Sequence, residues 1–170
     1  MGSRIEIHAG DGIAVGAYLA MPSGKPKGSV VVLQEIFGVN SHMRDIADRV
    51  AAAGYVAIAP HLFDRVRRDV ELGYEKSDQA TARETRAAVD ETAAILDIEA
   101  AISRVSDIGK PALLGFCWGG SLAFRMAVDA NTLSAAVCFY GAGVSALADL
   151  PPKVPTMLHF GENDHAIPMS

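Results

Sequence analysis

Short apolar runs and helical stripes alternate along the chain. Residues 4–8 and 13–20 alternate polar and apolar positions and are joined at Gly10-Asp11-Gly12, which predicts an antiparallel hairpin at a sheet edge. Residues 29–33, Ser-Val-Val-Val-Leu, form a continuous apolar run, the pattern of a parallel strand buried on both faces. Ser41 is then placed to cap a helix that carries Met43, Ile46, Ala47 and Val50 on one face and stops at Gly54. Residues 55–59 read as a further buried strand, ended by Pro60. Residues 61–79 are polar and irregular, and a long helix follows with Ile95, Ile98, Ile102 and Val105 on one stripe. Residues 111–115, 133–140 and 155–160 read as three more strands, the last preceded by a proline-rich linker. Strand-helix alternation of this kind predicts an α/β fold with a doubly wound, mostly parallel sheet, in a single domain over residues 1–170.

Composition narrows the function classes. Half of the 170 residues are hydrophobic, enough for one sizeable core. The net charge is −5 and no Lys/Arg block occurs, so no nucleic-acid partner is expected. No apolar stretch approaches membrane-spanning length, so no membrane partner is expected either. The N-terminus, Met-Gly-Ser-Arg-Ile-Glu-Ile-His, lacks the apolar centre of a signal peptide, and Glu6 breaks the myristoylation pattern. The two cysteines, Cys117 and Cys138, form neither a CxxC pair nor a zinc-type spacing. The expectation is a reduced, cytoplasmic protein without metal or cofactor.

The chemistry concentrates at Gly115-Phe116-Cys117-Trp118-Gly119, a small-x-nucleophile-x-small pentapeptide between an apolar strand and an amphipathic helix. That is the setting of a nucleophile elbow, a sharp strand-to-helix turn with glycines where side chains would clash. A thiol here sits at a helix N-terminus, whose partial positive charge favours thiolate. A plainer reading leaves Cys117 as a small buried hydrophobe, as Cys138 within its apolar strand is read to be.

Four segments then follow in order and in register: Gln34-Glu-Ile-Phe-Gly-Val-Asn40, Gly115-Phe-Cys-Trp-Gly-Gly120, Phe139-Tyr-Gly141 and Gly161-Glu-Asn-Asp-His165. Together they resemble the dienelactone hydrolase (carboxymethylenebutenolidase) family of α/β-hydrolases. The resemblance implies a cofactor-free hydrolase of small-molecule esters or lactones that works through a thioester intermediate. It also implies a Cys-Asp-His triad with a glutamate beside the thiol. Cys117 matches the nucleophile, Asp164 the triad acid and Glu35 the auxiliary carboxylate. Ile36 and Trp118 match the backbone donors of an oxyanion hole.

Each assignment also has a physical case and a plainer alternative. Glu35 follows an apolar strand at the carboxyl edge of the sheet, where open α/β folds bind ligands. Beside a thiol, its carboxylate can accept the S–H and keep the nucleophile dormant until substrate displaces it. It also fits as a solvated glutamate at a strand end. Asp164 lies on the loop that carries the acid in the order nucleophile, acid, histidine; it also fits as an ordinary turn aspartate, and Glu162 competes for the role. Tyr140 matches a family position near the thiol, or simply caps a strand. Arg83 is the candidate for a substrate carboxylate, with Arg65 and Arg86 as neighbours in the same stretch; all three also fit as solvated arginines.

The triad histidine has no counterpart of its own. His8, His42, His61 and His159 precede Asp164, and His165 is adjacent to it, where neighbouring side chains of extended chain point apart. The expectation is a C-terminally truncated chain that lacks the last strand-helix unit. The complete protein is expected to be monomeric, and the fragment to self-associate along an open strand edge. An inactive fragment, a non-catalytic binding domain and a thiol-transfer protein are the competing classes, the last without a resolving cysteine nearby in sequence.

Overall fold

The computed structural model describes residues 1–129 and 131–167. Strands β1 (Ser3–His8) and β2 (Ala14–Ala20) pair antiparallel, as their alternating pattern requires. β3 (Ser29–Leu33), helix α1 (Ser41–Ala52), β4 (Val56–Pro60), α2 (Lys76–Ala87) and α3 (Glu91–Arg104) follow. β5 (Ala112–Phe116), α4 (Trp118–Asp129), β6 (Ala135–Phe139) and β7 (Thr156–His159) complete the described elements. The strands form one sheet in the order β1-β2-β4-β3-β5-β6-β7. The five strands from β4 to β7 are mutually parallel, and β2 joins them antiparallel through β4.

The apolar runs of β3 and β4 are explained by burial on both faces, whereas β5 is fully buried on one face and half-buried on the other. Val32, Ala57 and Ala59 pack with Met43, Ile46 and Ala47 of α1. The alternate positions Val31, Leu33, Ile58 and Leu113 pack against Ile98 and Ala101 of α3 and Leu122 and Ala123 of α4. The sheet is therefore wound on both sides, as expected.

Three local expectations change. Asn40, not Ser41, caps α1: its side-chain oxygen accepts from Met43 N–H at 3.2 Å while its amide nitrogen donates to the Leu72 carbonyl at 2.9 Å. The long helix is two, because Asp90 takes extended backbone and accepts from Thr92 N–H at 2.9 Å, capping α3 afresh. The stretch 61–79 is irregular only as far as Glu75, since α2 begins at Lys76, and it is not wholly polar, since Leu62, Phe63 and Val70 are buried in the core.

The crossing of α4 over β3 positions everything that follows. Gly119 N–H donates to the Gln34 carbonyl at 3.0 Å. A Cβ on Gly119 would lie 2.4 Å from the Leu33 oxygen and 2.6 Å from the Gln34 oxygen. Only glycine lets the helix start come this close to the end of β3. Gly119→Ala is accordingly expected to lower unfolding stability by about 2 kcal/mol or more, the cost of forced overpacking, read from the urea midpoint at constant slope.

Candidate active site

Cys117 ends β5 and starts α4 with φ of +54°, left-handed backbone that a non-glycine residue adopts at a cost. The turn is held on both sides: Cys117 N–H donates to the Phe139 carbonyl at 2.9 Å, and Ser121 N–H donates to the Cys117 carbonyl at 3.1 Å. The expected sharp elbow is therefore present. Burial pushes the Cys117 thiol above its usual range, and the negative charges of Glu35 and then Asp164 push it further. The Trp118 N–H at the helix start pulls the other way and is outweighed. The helix terminus thus favours thiolate, as its position implies, but does not decide the balance.

Glu35 leaves β3 on the turn anchored by the Gln34–Gly119 bond. The buried Gln34 side chain accepts from Leu62 N–H at 3.1 Å and donates to the Glu35 carbonyl at 3.2 Å. Both carboxylate oxygens of Glu35 receive phenolic hydrogen bonds, from Tyr74 at 2.6 Å and from Tyr140 at 2.9 Å. Tyr140, expected near the thiol, is there, in left-handed backbone with φ of +39° and its N–H on the His159 carbonyl at 2.8 Å. Burial first and Glu35 second push the Tyr74 hydroxyl up to about 12, and burial and Glu35 push Tyr140 up as well, so both phenols remain donors at neutral pH. Sequence reasoning missed Tyr74; an aromatic in an aperiodic stretch gives no signal of where it lands.

Ile36 follows Glu35 on the same turn, and Trp118 follows Cys117. Among the described residues, neither donates its N–H to a backbone or side-chain oxygen. The Trp118 N–H instead acts on the Cys117 sulfur. The Trp118 side chain is buried and stacks on Phe63 at 5.5 Å between centroids.

Asp164 is half-buried on the loop after β7, near enough for its charge to act on the thiol. One of its oxygens accepts from Ala166 N–H at 2.8 Å. No histidine hydrogen-bonds to Asp164 or Cys117 among the described residues. His159 stacks on Phe139 at 4.3 Å, His61 is buried 3.9 Å from Asp64, and His42 sits edge-on to Tyr74. His165 is exposed, as is Glu162.

A cleft of about 410 Å³ opens at Cys117, lined by Trp118, Ser121, Arg86, Arg125 and Leu147 among others. Arg83 is not in it. Ala82 and Thr85 are the buried positions of α2, so the helical phase turns Arg86 inward and leaves Arg83 exposed. The Arg86 guanidinium lies 4.5 Å from the Trp118 ring centroid and pairs with Glu91 at 3.0 Å. Arg65 is structural: it bridges buried Asp97 at 2.8 Å and Asp11 at 2.6 Å. No group of three or more His, Cys, Asp or Glu side chains is arranged to hold a metal among the described residues.

The model of the dienelactone hydrolase family matches residues 15–170. The chain belongs to the dienelactone hydrolase family. It is 34% identical over 171 residues to the carboxymethylenebutenolidase of Pseudomonas putida, covering 96% of this chain and 72% of that one. It is 36% identical over 174 residues to a candidate carboxymethylenebutenolidase of Synechocystis, covering 93% and 70%. The crystal structure of a candidate dienelactone hydrolase from Klebsiella pneumoniae superposes with a TM-score of 0.79 at 29% identity, over 98% of this chain and 76% of that one. The fold is that of the α/β-hydrolases, and membership supports hydrolysis of esters or lactones.

Within this dienelactone hydrolase family site, Glu35→Gln is expected to lower the apparent pKa of Cys117, because it removes the nearer-acting of two charges that oppose thiolate. The pH dependence of Cys117 alkylation reads this directly. An unchanged or higher value in Glu35→Gln contradicts the electrostatic account.

Proposed function

We propose that this chain hydrolyses a small anionic ester or lactone with Cys117 as nucleophile. The observation that carries the reading is the strained elbow, which sets Cys117 in the cleft wall at the start of α4, within reach of the charges of Glu35 and Asp164. The thiolate adds to the substrate carbonyl, forming a C–S bond while the C=O electrons move onto oxygen. The Ile36 and Trp118 N–H groups receive that oxyanion. Collapse expels the alkoxide, which takes up a proton, and leaves a thioester. Water then adds to the thioester, and its collapse returns the thiolate and releases a carboxylic acid.

Arg86 and Arg125 at the cleft support an anionic substrate. Arg86 already stacks on Trp118, and a guanidinium so oriented can meet a carboxylate with two parallel N–H groups. Arg86→Met is expected to raise KM for a carboxylate-bearing ester about tenfold, with a smaller change for neutral p-nitrophenyl acetate, since one charge-assisted hydrogen bond is worth about 1.5–3 kcal/mol. Equal effects on both esters would remove Arg86 from substrate recognition.

Asp164 would orient and stabilise an imidazolium in this reading. Among the described residues no imidazole lies on Asp164, and general acid–base help of that kind is typically worth about 10²–10⁴-fold. Attack by the thiol needs that help less than thioester breakdown does. The expected result with p-nitrophenyl acetate is a stoichiometric burst with an acetyl group on Cys117, seen by mass spectrometry, followed by slow turnover. Cys117→Ala should abolish the burst. Acetylation at another residue, or an unchanged burst in Cys117→Ala, overturns the cysteine mechanism.

A further inference from the structure

Residues 69–75, between β4 and α2, form a strap fastened to the same segment that carries Glu35. Gly38 and Glu71 make an antiparallel bridge, and Leu72 N–H donates to the Phe37 carbonyl at 2.9 Å. The Asn40 side chain holds the Leu72 carbonyl at 2.9 Å, and Arg44 pairs with Glu71 at 2.6 Å. The two backbones touch so closely that a Cβ on Gly38, whose φ is +80°, would fall 1.7 Å from the Val70 oxygen. Every one of these ties precedes Tyr74 in the strap and fixes where its ring goes. The ring lies edge-on to Phe37 at 4.7 Å between centroids, and the hydroxyl reaches Glu35 Oε2 at 2.6 Å. Tyr140 holds Oε1 from the opposite side, at 2.9 Å.

We propose that Tyr74 is a positioning residue for Glu35: together with Tyr140 it pins the carboxylate by both oxygens and so sets its access to the Cys117 sulfur. This rests on the reading of Cys117 as the nucleophile. A carboxylate whose oxygens are both engaged by neutral donors is fixed in direction and has less of its accepting capacity left for an S–H. Tyr74 is about half exposed, unlike the groups packed around the thiol, so the clamp reaches from the strap at the surface to the elbow. The charged and titratable groups that act on Cys117 are Glu35 and Asp164, opposed by the Trp118 N–H, with the Tyr140 phenol alongside. Of these, only Glu35 is bonded to Tyr74.

Tyr74→Phe keeps the ring against Phe37 and deletes only the hydroxyl. The freed carboxylate oxygen then regains accepting capacity toward the Cys117 S–H. Alkylation of Cys117 by iodoacetamide at pH 7 is expected to slow about three- to tenfold, with the pH profile displaced upward. In a Glu35→Gln background, Tyr74→Phe should leave the rate unchanged, because the group it positions no longer carries charge. A wild-type profile in Tyr74→Phe, with Glu35→Gln itself accelerating alkylation, overturns the clamp and leaves the nucleophile reading standing. Equal slowing in both backgrounds also overturns it, since that points to general loosening of the strap. If Glu35→Gln alkylates like the wild type, the role of Glu35 at the thiol fails, and the clamp fails with it.

Discussion

The closeness of two backbones, the end of β3 and the start of α4, is the constraint on which the site depends. Gly119 has no side chain, so its N–H can reach the Gln34 carbonyl, and the turn bearing Glu35 and Ile36 is drawn against the turn bearing Cys117 and Trp118. From that one approach come both the proximity of a carboxylate to the thiol and the apposition of the two turns. Neither could be arranged by side chains alone, because an added methyl at the crossing would separate the two turns. The strap and the buried Gln34 amide then reinforce the approach from the β4 side.

Electrostatically the centre is biased against its own reactivity. A partly buried thiol faces two carboxylates, and the single favourable dipole of the helix start does not outweigh them. This is the opposite of a thiol tuned to be a thiolate at all times, such as a redox cysteine requires. A thiol held mostly protonated reacts little with adventitious electrophiles. Arg86, paired with Glu91, and Arg125, paired with Asp129, line the cleft beside it.

What could be read from sequence follows from which features are periodic. The inner strands β3 and β4 announce themselves because both faces are buried, and the elbow because its glycines are needed at fixed offsets from Cys117. Cys117, Glu35 and Tyr140 were legible by resemblance, and the structure brings those three together, with Asp164 close enough to act on the thiol. The break between α2 and α3 was not legible, since Ala87, Ala88 and Val89 favour continuing the helix and only the Asp90 cap interrupts it. Arg83 was preferred over Arg86 because the choice depends on helical phase, which needs the true start of α2 at Lys76. Tyr74 was invisible for a stronger reason: it reaches Glu35 through the docking of an aperiodic segment, and no local pattern encodes that.

The ends of β5 and β6 share an arrangement with a consequence for how such a chain can change over time. Phe116 lies opposite Phe139 in the ladder, and the next residues, Cys117 and Tyr140, are both left-handed while their N–H groups still bond to the neighbouring strand. Thiol and phenol are thus mounted just beyond adjacent strands at matched heights. A single inserted or deleted residue inside β6 would invert its faces and carry Tyr140 away from Glu35 while leaving the core volume almost intact. The linker before β7, with Pro151, Pro152 and Pro155, carries no such constraint. Changes in length should therefore collect in the connections and be purged from these two strands, so that the spacing from Cys117 to Tyr140 varies only through the segment between α4 and β6.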